Sequence, residues 1–306
     1  MGRILIMIDP KNPYSSASRL DASPAKTLGG REPGLREFSF SGADFERVRK
    51  LIYQHAGISL SPVKQDMVYS RLARRLRATG MQSFAEYLDA LERSGGDEWE
   101  RFVNSLTTNL TSFYREPHHF PIFAEHLQKI GTKRPIKIWC SAASTGEEPY
   151  SIAMTVAETF GTNTSHVSII ASDLDTNVLA TAQKGVYPIE RVEKISPERL
   201  RKFFLRGTGS QEGSVAVRPE LKKMIEFQRV NLLEPNWPVR EPVDVIFCRN
   251  VMIYFDKPTQ YKILSRFAPL MQPDGLMFAG HSESFLHAAD LFKSLGKTVY
   301  ALAKSK

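Results

Sequence analysis

No apolar run in this 306-residue chain is long enough to cross a membrane. Even Ile4 to Ile8, and Val243 to Cys248 with Asp244 inside it, fall far short of the roughly 20 residues a spanning helix needs. Near the start, Gly2-Arg3-Ile4-Leu5-Ile6-Met7-Ile8 offers one arginine and an apolar patch, but Asp9-Pro10 ends it before a signal-peptide core forms. Export and membrane insertion are therefore not expected, and the protein is read as soluble and cytoplasmic. Cysteine is scarce. Only Cys140 and Cys248 are present, each closing an apolar run, which fits buried free thiols in a reduced compartment better than a disulfide framework. His118, His119 and His281 have no His/Cys spacing suited to zinc, so no metal is expected. No internal repeat is visible.

What the chain does carry is positive charge, a formal net +8. That favours a polyanionic partner, whether nucleic acid, a membrane surface or an acidic protein face, and charge alone does not choose among them. Its distribution says more: Arg71, Arg74, Arg75 and Arg77 fall within seven residues of one predicted helix.

Residues 1 to 36 mix Asn12-Pro13, Ser15-Ser16, Gly29-Gly30 and Pro33-Gly34 without periodicity, the composition of a flexible tail. Residues 37 to 116 read as a helical domain with its linker. Ser41 and Asp44 precede apolar positions at Phe45, Val48, Leu51 and Ile52, and the pattern runs to Gly57. A second helix after Ser61-Pro62 turns Met67, Leu72 and Leu76 inward and the arginines outward, stopping near Gly80. Phe84, Tyr87, Leu88 and Leu91 mark a third, and Trp99, Phe102, Val103 and Leu106 a fourth. Residues 117 to 306 then form an α/β domain in which short apolar strands alternate with helices, as in an open, mainly parallel sheet. The expected strands are Ile136 to Cys140, Val167 to Ser172, Met224 to Arg229, Val243 to Cys248 and Leu276 to Gly280, with a closing hairpin of Phe292 to Leu295 and Thr298 to Leu302. The alternation breaks from about 189 to 226, where Gly207, Gly209 and Gly213 lie among β-type residues, so a small β-rich inserted subdomain is expected there.

The first strand runs into Ser141-Ala142-Ala143-Ser144-Thr145-Gly146-Glu147-Glu148-Pro149, whose small residues let a ligand approach backbone N–H groups beyond the strand end. The segment lacks both Gly-x-Gly-x-x-Gly and a P-loop lysine, so a phosphate cradle has little support. Glu147 and Glu148 would repel phosphate, yet a carboxylate suits ribose hydroxyls or a cationic ligand; alternatively, the pair only favours the helix N-terminus. Asp173 and Asp175 follow the second strand, at a position for ribose or for turn and helix capping. Arg249, Asn250 and Tyr254 lie just beyond the fourth strand and either line a pocket or tie loops together. Thr107 to Glu116, polar and aromatic, is a linker or a lid.

Together these residues carry a resemblance. Thr108-Asn109-Leu110-Thr111 with Tyr114-Arg115-Glu116, Ala143 to Ser151, Ala171-Ser172-Asp173, Val230-Asn231-Leu232, Cys248 to Phe255 and Gly280-His281-Ser282-Glu283 resemble the blocks of the CheR family of chemotaxis receptor methyltransferases, in the same order. The resemblance covers about residues 38 to 303. It implies a class I methyltransferase, Rossmann-like sheet with an N-terminal helical domain, and S-adenosylmethionine as cofactor, converted to S-adenosylhomocysteine. It further implies that Asn109, Thr111 and Arg115 contact the cofactor from the interdomain segment, with Arg115 at its carboxylate. Glu148 and Asp173 would then serve its amino acid and ribose parts, Asn231 and Leu232 border the adenine, and Arg249, Asn250 and Tyr254 line the site near the transferred methyl. All of these positions hold residue types the family uses.

The reaction so implied is esterification of glutamate side chains in the cytoplasmic domain of chemotaxis receptors, by a protein expected to be monomeric. Arg249 and Tyr254 are the candidates for orienting the incoming carboxylate, and Arg71, Arg74, Arg75 and Arg77 for drawing in the acidic receptor. Arg206-Gly207-Thr208-Gly209 is similar to the loop of family members that bind a C-terminal receptor pentapeptide. Two rivals stand beside this reading. A nucleic-acid methyltransferase would suit the charge, but it needs a flipped base held by stacking, and Arg249-Asn250-Val251-Met252-Ile253-Tyr254 does not resemble the Asn-Pro-Pro-Tyr loop of such enzymes. A docking module that binds cofactor and receptor without turnover is the other.

Overall fold

The computed structural model describes residues 36–94, 96–240 and 242–303. The expected tail lies outside them except for Arg36. Four helices come first: α1 (Gly42–Ala56), α2 (Gln65–Thr79), α3 (Phe84–Ser94) and α4 (Asp97–Leu106). Ser41 opens α1 through a capping box, its hydroxyl accepting from the Asp44 N–H while the Asp44 carboxylate accepts from the Ser41 N–H. Left-handed Gly57 and Gly80 end α1 and α2. Between the helices lie Val48, Ile52, Val68, Leu72, Leu76, Phe84, Tyr87, Leu88 and Phe102, all fully buried. Each such side chain stabilises the unit by about 1.5–3 kcal/mol relative to exposure. Met67, expected inward, is only partly buried and faces the cavity described below; Val68 takes the core position.

The α/β part follows as α5 (His119–Ile130), β1 (Ile136–Cys140), α6 (Glu147–Phe160), β2 (Val167–Asp173), α7 (Thr176–Lys184), β3 (Val186–Pro188), α8 (Pro197–Phe203), β4 (Phe204–Arg206), β5 (Ser214–Val217), α9 (Pro219–Lys222), β6 (Ile225–Arg229), β7 (Val243–Cys248), α10 (Lys257–Phe267), β8 (Met271–Ala279), β9 (Phe292–Gly296) and β10 (Val299–Leu302). Seven strands make one sheet in the order β6-β2-β1-β7-β8-β10-β9. Its strands pair in parallel except at β10, antiparallel to β8 and to β9. Strand β7 is buried along its whole length and is apolar but for Asp244, whose carboxylate accepts from the Lys137 N–H at 2.8 Å and pairs with Arg134 at 2.6 Å. From β1 the chain moves outward to β2 and β6, then returns to β7 on the other side of β1. The switch point therefore falls between β1 and β7, where an open α/β sheet forms a crevice beyond its carboxyl ends.

The insertion is a second sheet of three antiparallel strands, β3-β5-β4, with β5 in the middle. It opens at Val186, three residues before the expected start, because Gly185 in the left-handed conformation ends α7 and sends the chain straight into β3.

Candidate active site

Beyond β1, β2, β6 and β7 lies a cavity of about 610 Å³, also walled by α1, α2 and the segment leading from α4 toward α5. All the cofactor positions expected from the sequence line it: Asn109, Thr111 and Arg115 from the joining segment, Glu148 from α6, Asp173 from β2, Asn231 and Leu232 after β6, and Arg249 and Asn250 after β7. Tyr254 lines it as well.

The turn after β1 is made by left-handed Ser144 and Gly146. A Cβ on Gly146 would sit 2.6 Å from the Tyr187 hydroxyl and 2.9 Å from the Ala182 Cβ, so only glycine fits. This turn brings the Ser144 N–H to Asp173 Oδ2 at 2.8 Å, while Asp175 N–H donates to Oδ1 at 3.0 Å. Asp173 is thus fixed by two amides at the cavity edge, and burial pushes its carboxyl up to about 6. Asp175 has the other task weighed for this pair. It caps α7 through the Asn177 N–H at 2.9 Å, and its second oxygen accepts from Thr107 Oγ1 at 3.1 Å and Asn109 Nδ2 at 2.8 Å.

A buried chain of charges backs the cavity. The Arg249 side chain is 1% exposed, with Nη1 2.5 Å from Glu148 Oε2. Its Nη2 donates to the Arg115 carbonyl and lies 3.4 Å from Glu116 Oε2. The Cys140 thiol donates to the other Glu148 oxygen at 3.4 Å. Burial pushes the Glu148 carboxyl up, and the Arg249 guanidinium opposes it. Burial would also raise Glu116, but the His281 N–H, the Arg249 charge and the Asn250 amide together hold it at about 2. Glu116 Oε1 accepts from His281 N–H at 3.0 Å and from Asn250 Nδ2 at 3.3 Å. Glu283 clamps the same loop by accepting from Gly280 N–H at 2.5 Å, Asn250 N–H at 2.9 Å and Ile253 N–H at 3.3 Å. A Cβ on Gly280 would lie 2.3 Å from Asn250 Nδ2, so this approach requires glycine. Tyr114, Glu116, Ser144 and Asn250 all hold positive φ without being glycine. Such backbone persists only where its surroundings enforce it.

Glu116 and Glu283 are present in the sequence blocks, but no local spacing ties Glu116 to Arg249 or His281. Buried His119 is a third residue of this kind: its Nε2 donates to the Lys297 carbonyl at 2.9 Å, and burial lowers it to about 4. It stays neutral and ties α5 to the β9–β10 hairpin.

The arginines of α2 divide in a way that the helical pattern does not show. Arg71 Nη1 donates to the Leu106 and Thr107 carbonyls at 3.0 and 2.6 Å. Arg75 is forked onto Glu98 at 3.0 and 2.7 Å, and Arg77 pairs with Glu37 at 2.6 Å. Among the described residues Arg74 alone of the four makes no ion pair or hydrogen bond, and it is exposed. Arg74 and Arg77 keep the outward face expected of all four, Arg77 in an exposed ion pair, whereas Arg71 and Arg75 are half-buried because α4 and the segment after it bring carbonyls and a carboxylate to them. Gly207 and Gly209 lie in the insertion, outside the lining of the cavity. A Cβ on Gly207 would fall 1.9 Å from the Gln211 carbonyl oxygen, so this glycine serves the β4–β5 connection itself. Among the described residues no group of three or more His, Cys, Asp or Glu could hold a metal ion, and no helix is long and apolar enough to cross a membrane.

A seven-stranded sheet of this order, with a cavity lined by Asp173, Glu148 and Arg115 at its switch point and an all-helical unit beside it, defines an S-adenosylmethionine-dependent methyltransferase. The sequence model described as CheR methyltransferase, SAM binding domain matches residues 109–301, and that described as CheR methyltransferase, all-alpha domain matches 43–107. The chain belongs to the CheR methyltransferase family. It is 52% identical over 272 residues to the chemotaxis protein methyltransferase of Salmonella typhimurium, covering 89% of this chain and 94% of that one. It is 52% identical over 267 residues to the protein of the same name from Escherichia coli, covering 87% and 93%. To chemotaxis protein methyltransferase 2 of Pseudomonas aeruginosa it is 51% identical over 271 residues, covering 88% and 96%. The cofactor is S-adenosylmethionine.

Proposed function

We propose that this cavity holds S-adenosylmethionine and that the protein uses it to esterify glutamate side chains of chemotaxis receptors. The observation that carries the reading is the meeting of Arg115, Asp173, Asn231 and Asn250, from four separate segments, at one cavity in a chain of this family. The residues fit the cofactor chemically. Asp173 keeps lone pairs for ribose hydroxyls beyond its two amide bonds, Arg115 offers a half-buried cation to the cofactor carboxylate, and Val230, Leu232 and Phe255 give apolar walls for the adenine. Arg249 Nε is buried without a partner, so a further acceptor has a place there. Asn231 reaches the cavity from an Asx turn, its Oδ1 accepting from Leu233 N–H and its Nδ2 donating to the His55 carbonyl.

When bound, the cofactor supplies a methyl group already activated by a sulfonium. A glutamate acceptor with an ordinary pKa near 4.3 is ionised at neutral pH, so no general base is required. The protein's contribution is placement and exclusion of water, which can lower a barrier by roughly 7–11 kcal/mol. Tyr254 orients the incoming carboxylate. Burial raises its pKa, so it stays a neutral donor, and its hydroxyl now rests on the Thr108 carbonyl at 3.2 Å. Arg249, with both ends of its fork engaged, acts by holding Glu148 and the Arg115 backbone in place.

The protein acts in the cytoplasm as a monomer, on the cytoplasmic domains of receptors, and the inserted sheet offers a second attachment for a C-terminal receptor pentapeptide. Incubation with labelled S-adenosylmethionine and either receptor fragments or DNA tests the reading. Base-labile label on receptor glutamates is expected. Label on DNA would favour the nucleic-acid rival, and cofactor binding without any product would leave a docking module.

A further inference from the structure

Arg71 lies three residues from exposed Arg74 on α2, yet its guanidinium is directed at the joining segment. Nη1 donates to the Leu106 carbonyl at 3.0 Å and to Thr107 O at 2.6 Å, with Ser105 O at 3.5 Å, and Nη2 reaches Thr108 Oγ1 at 3.2 Å. These carbonyls include the last of α4, which have no partner inside the helix, and a cation is favoured at that end. One side chain therefore closes α4 and grips the start of the irregular strap 107–111. From the sheet side the same strap is held by Asp175, by the Ser144 hydroxyl donating to Asn109 O at 3.2 Å, and by the Tyr254 hydroxyl on Thr108 O. Arg71 also lines the cofactor cavity itself.

We propose that Arg71 is a positioning residue for the cofactor: it fixes the strap so that Asn109 and Thr111 are presented to the ligand, and it is not a receptor contact. The inference rests on the placement of S-adenosylmethionine in this cavity. Without the fork the strap would have to be ordered by the ligand, and that conformational loss opposes binding. A lysine would keep the charge but could not span two carbonyls and a hydroxyl at once.

The test is calorimetric titration of S-adenosylhomocysteine into the full chain and into Arg71→Met, Arg71→Lys, Arg74→Met and Asp173→Ala, with thermal midpoints and separate KM values for S-adenosylmethionine and receptor. Arg71→Met is expected to weaken product binding by about tenfold to a hundredfold, the effect of losing one charged hydrogen bond. Arg71→Lys should recover part of it, and Arg74→Met should bind as the parent does. Turnover should show the loss as a raised KM for S-adenosylmethionine with the salt dependence on receptor unchanged. If Arg71→Met does not fold, Arg71→Lys carries the test, with a weakening of at least about threefold. Parental affinity in the Arg71 variants, whatever their thermal midpoint, overturns the proposal, as does a raised receptor KM alone. Parental affinity in Asp173→Ala would overturn the cavity assignment and this inference with it, whereas an Arg71 failure alone leaves that assignment standing.

Discussion

Asp173 is the residue at which cofactor binding and protonation should be coupled. Burial raises its carboxyl from 3.8 to about 6. A raised carboxyl favours the fold in its protonated form, so that contribution is complete below pH 3.8 and is lost as pH rises through 6. Ribose hydroxyls bond more strongly to the ionised form, so ligand affinity should move the opposite way. Between pH 7 and 5 the dissociation constant for S-adenosylhomocysteine is expected to rise roughly tenfold. In Asp173→Asn the profile should be flat and the affinity lower throughout. A parent profile with no inflection between pH 5 and 7 would remove Asp173 from the ribose. At this scale the sequence exposed residues that stand in short blocks after strands, because loops at the switch point carry ligand groups whatever the ligand. Glu116 escaped it. Its partners Arg249, Asn250 and His281 lie more than a hundred residues away, and only the closed sheet brings their polar groups to one carboxylate.

Among elements, α2 separates attraction from architecture. Arg74 is exposed and has no ion-pair or hydrogen-bond partner among the described residues, whereas Arg75 holds half-buried Glu98, which also accepts from the Tyr87 hydroxyl at 2.8 Å. Arg74→Ala should leave the thermal midpoint unchanged and reduce methylation of receptor at low salt, with the deficit shrinking as salt rises, since rim charges act on encounter. Arg75→Ala should destabilise the helical unit by about 1–2 kcal/mol, because it leaves Glu98 with an unmatched charge. Equal midpoints for the two variants would contradict this division. The 3.6-residue rhythm marked Leu72 and Leu76 of α2 as core residues, placed Met67 where Val68 belongs, and could not show what the flanks meet, because α4 and residue 37 arrive from other parts of the chain. A similar limit applied to β8. The sequence places that strand at Leu276 to Gly280, whereas the structure runs it from Met271, absorbing Gln272-Pro273-Asp274-Gly275 with a register shift opposite Val243 and Val245. The capping box at Ser41 and the left-handed glycines at 57 and 80 were legible because their signals are local.

For the whole molecule, the inserted sheet and the cofactor cavity are built from different segments, so a receptor could be held at one while it reacts at the other. Strand β5 is paired on both sides, leaving β3 and β4 as edges, and β3 contains Pro188, which has no N–H to give. The β4 edge, Phe204–Arg206, is therefore the better place for an extended peptide to add through main-chain hydrogen bonds. Gly207 packs against the Gln211 carbonyl on the side where a Cβ would stand, so glycine is required there by the β4–β5 connection itself. Attachment there would raise the local receptor concentration into the millimolar range for a short flexible link without changing the chemical step. A receptor C-terminal peptide ending in an aromatic residue is accordingly expected to bind the protein with no cofactor present. Arg206→Pro should weaken that binding and leave S-adenosylhomocysteine affinity as it was, and a receptor lacking the peptide should be methylated with a higher KM and the same kcat. Titration of such peptides to high concentration without heat or fluorescence change would instead mean that the enzyme works untethered, and that encounter at Arg74 must suffice for turnover.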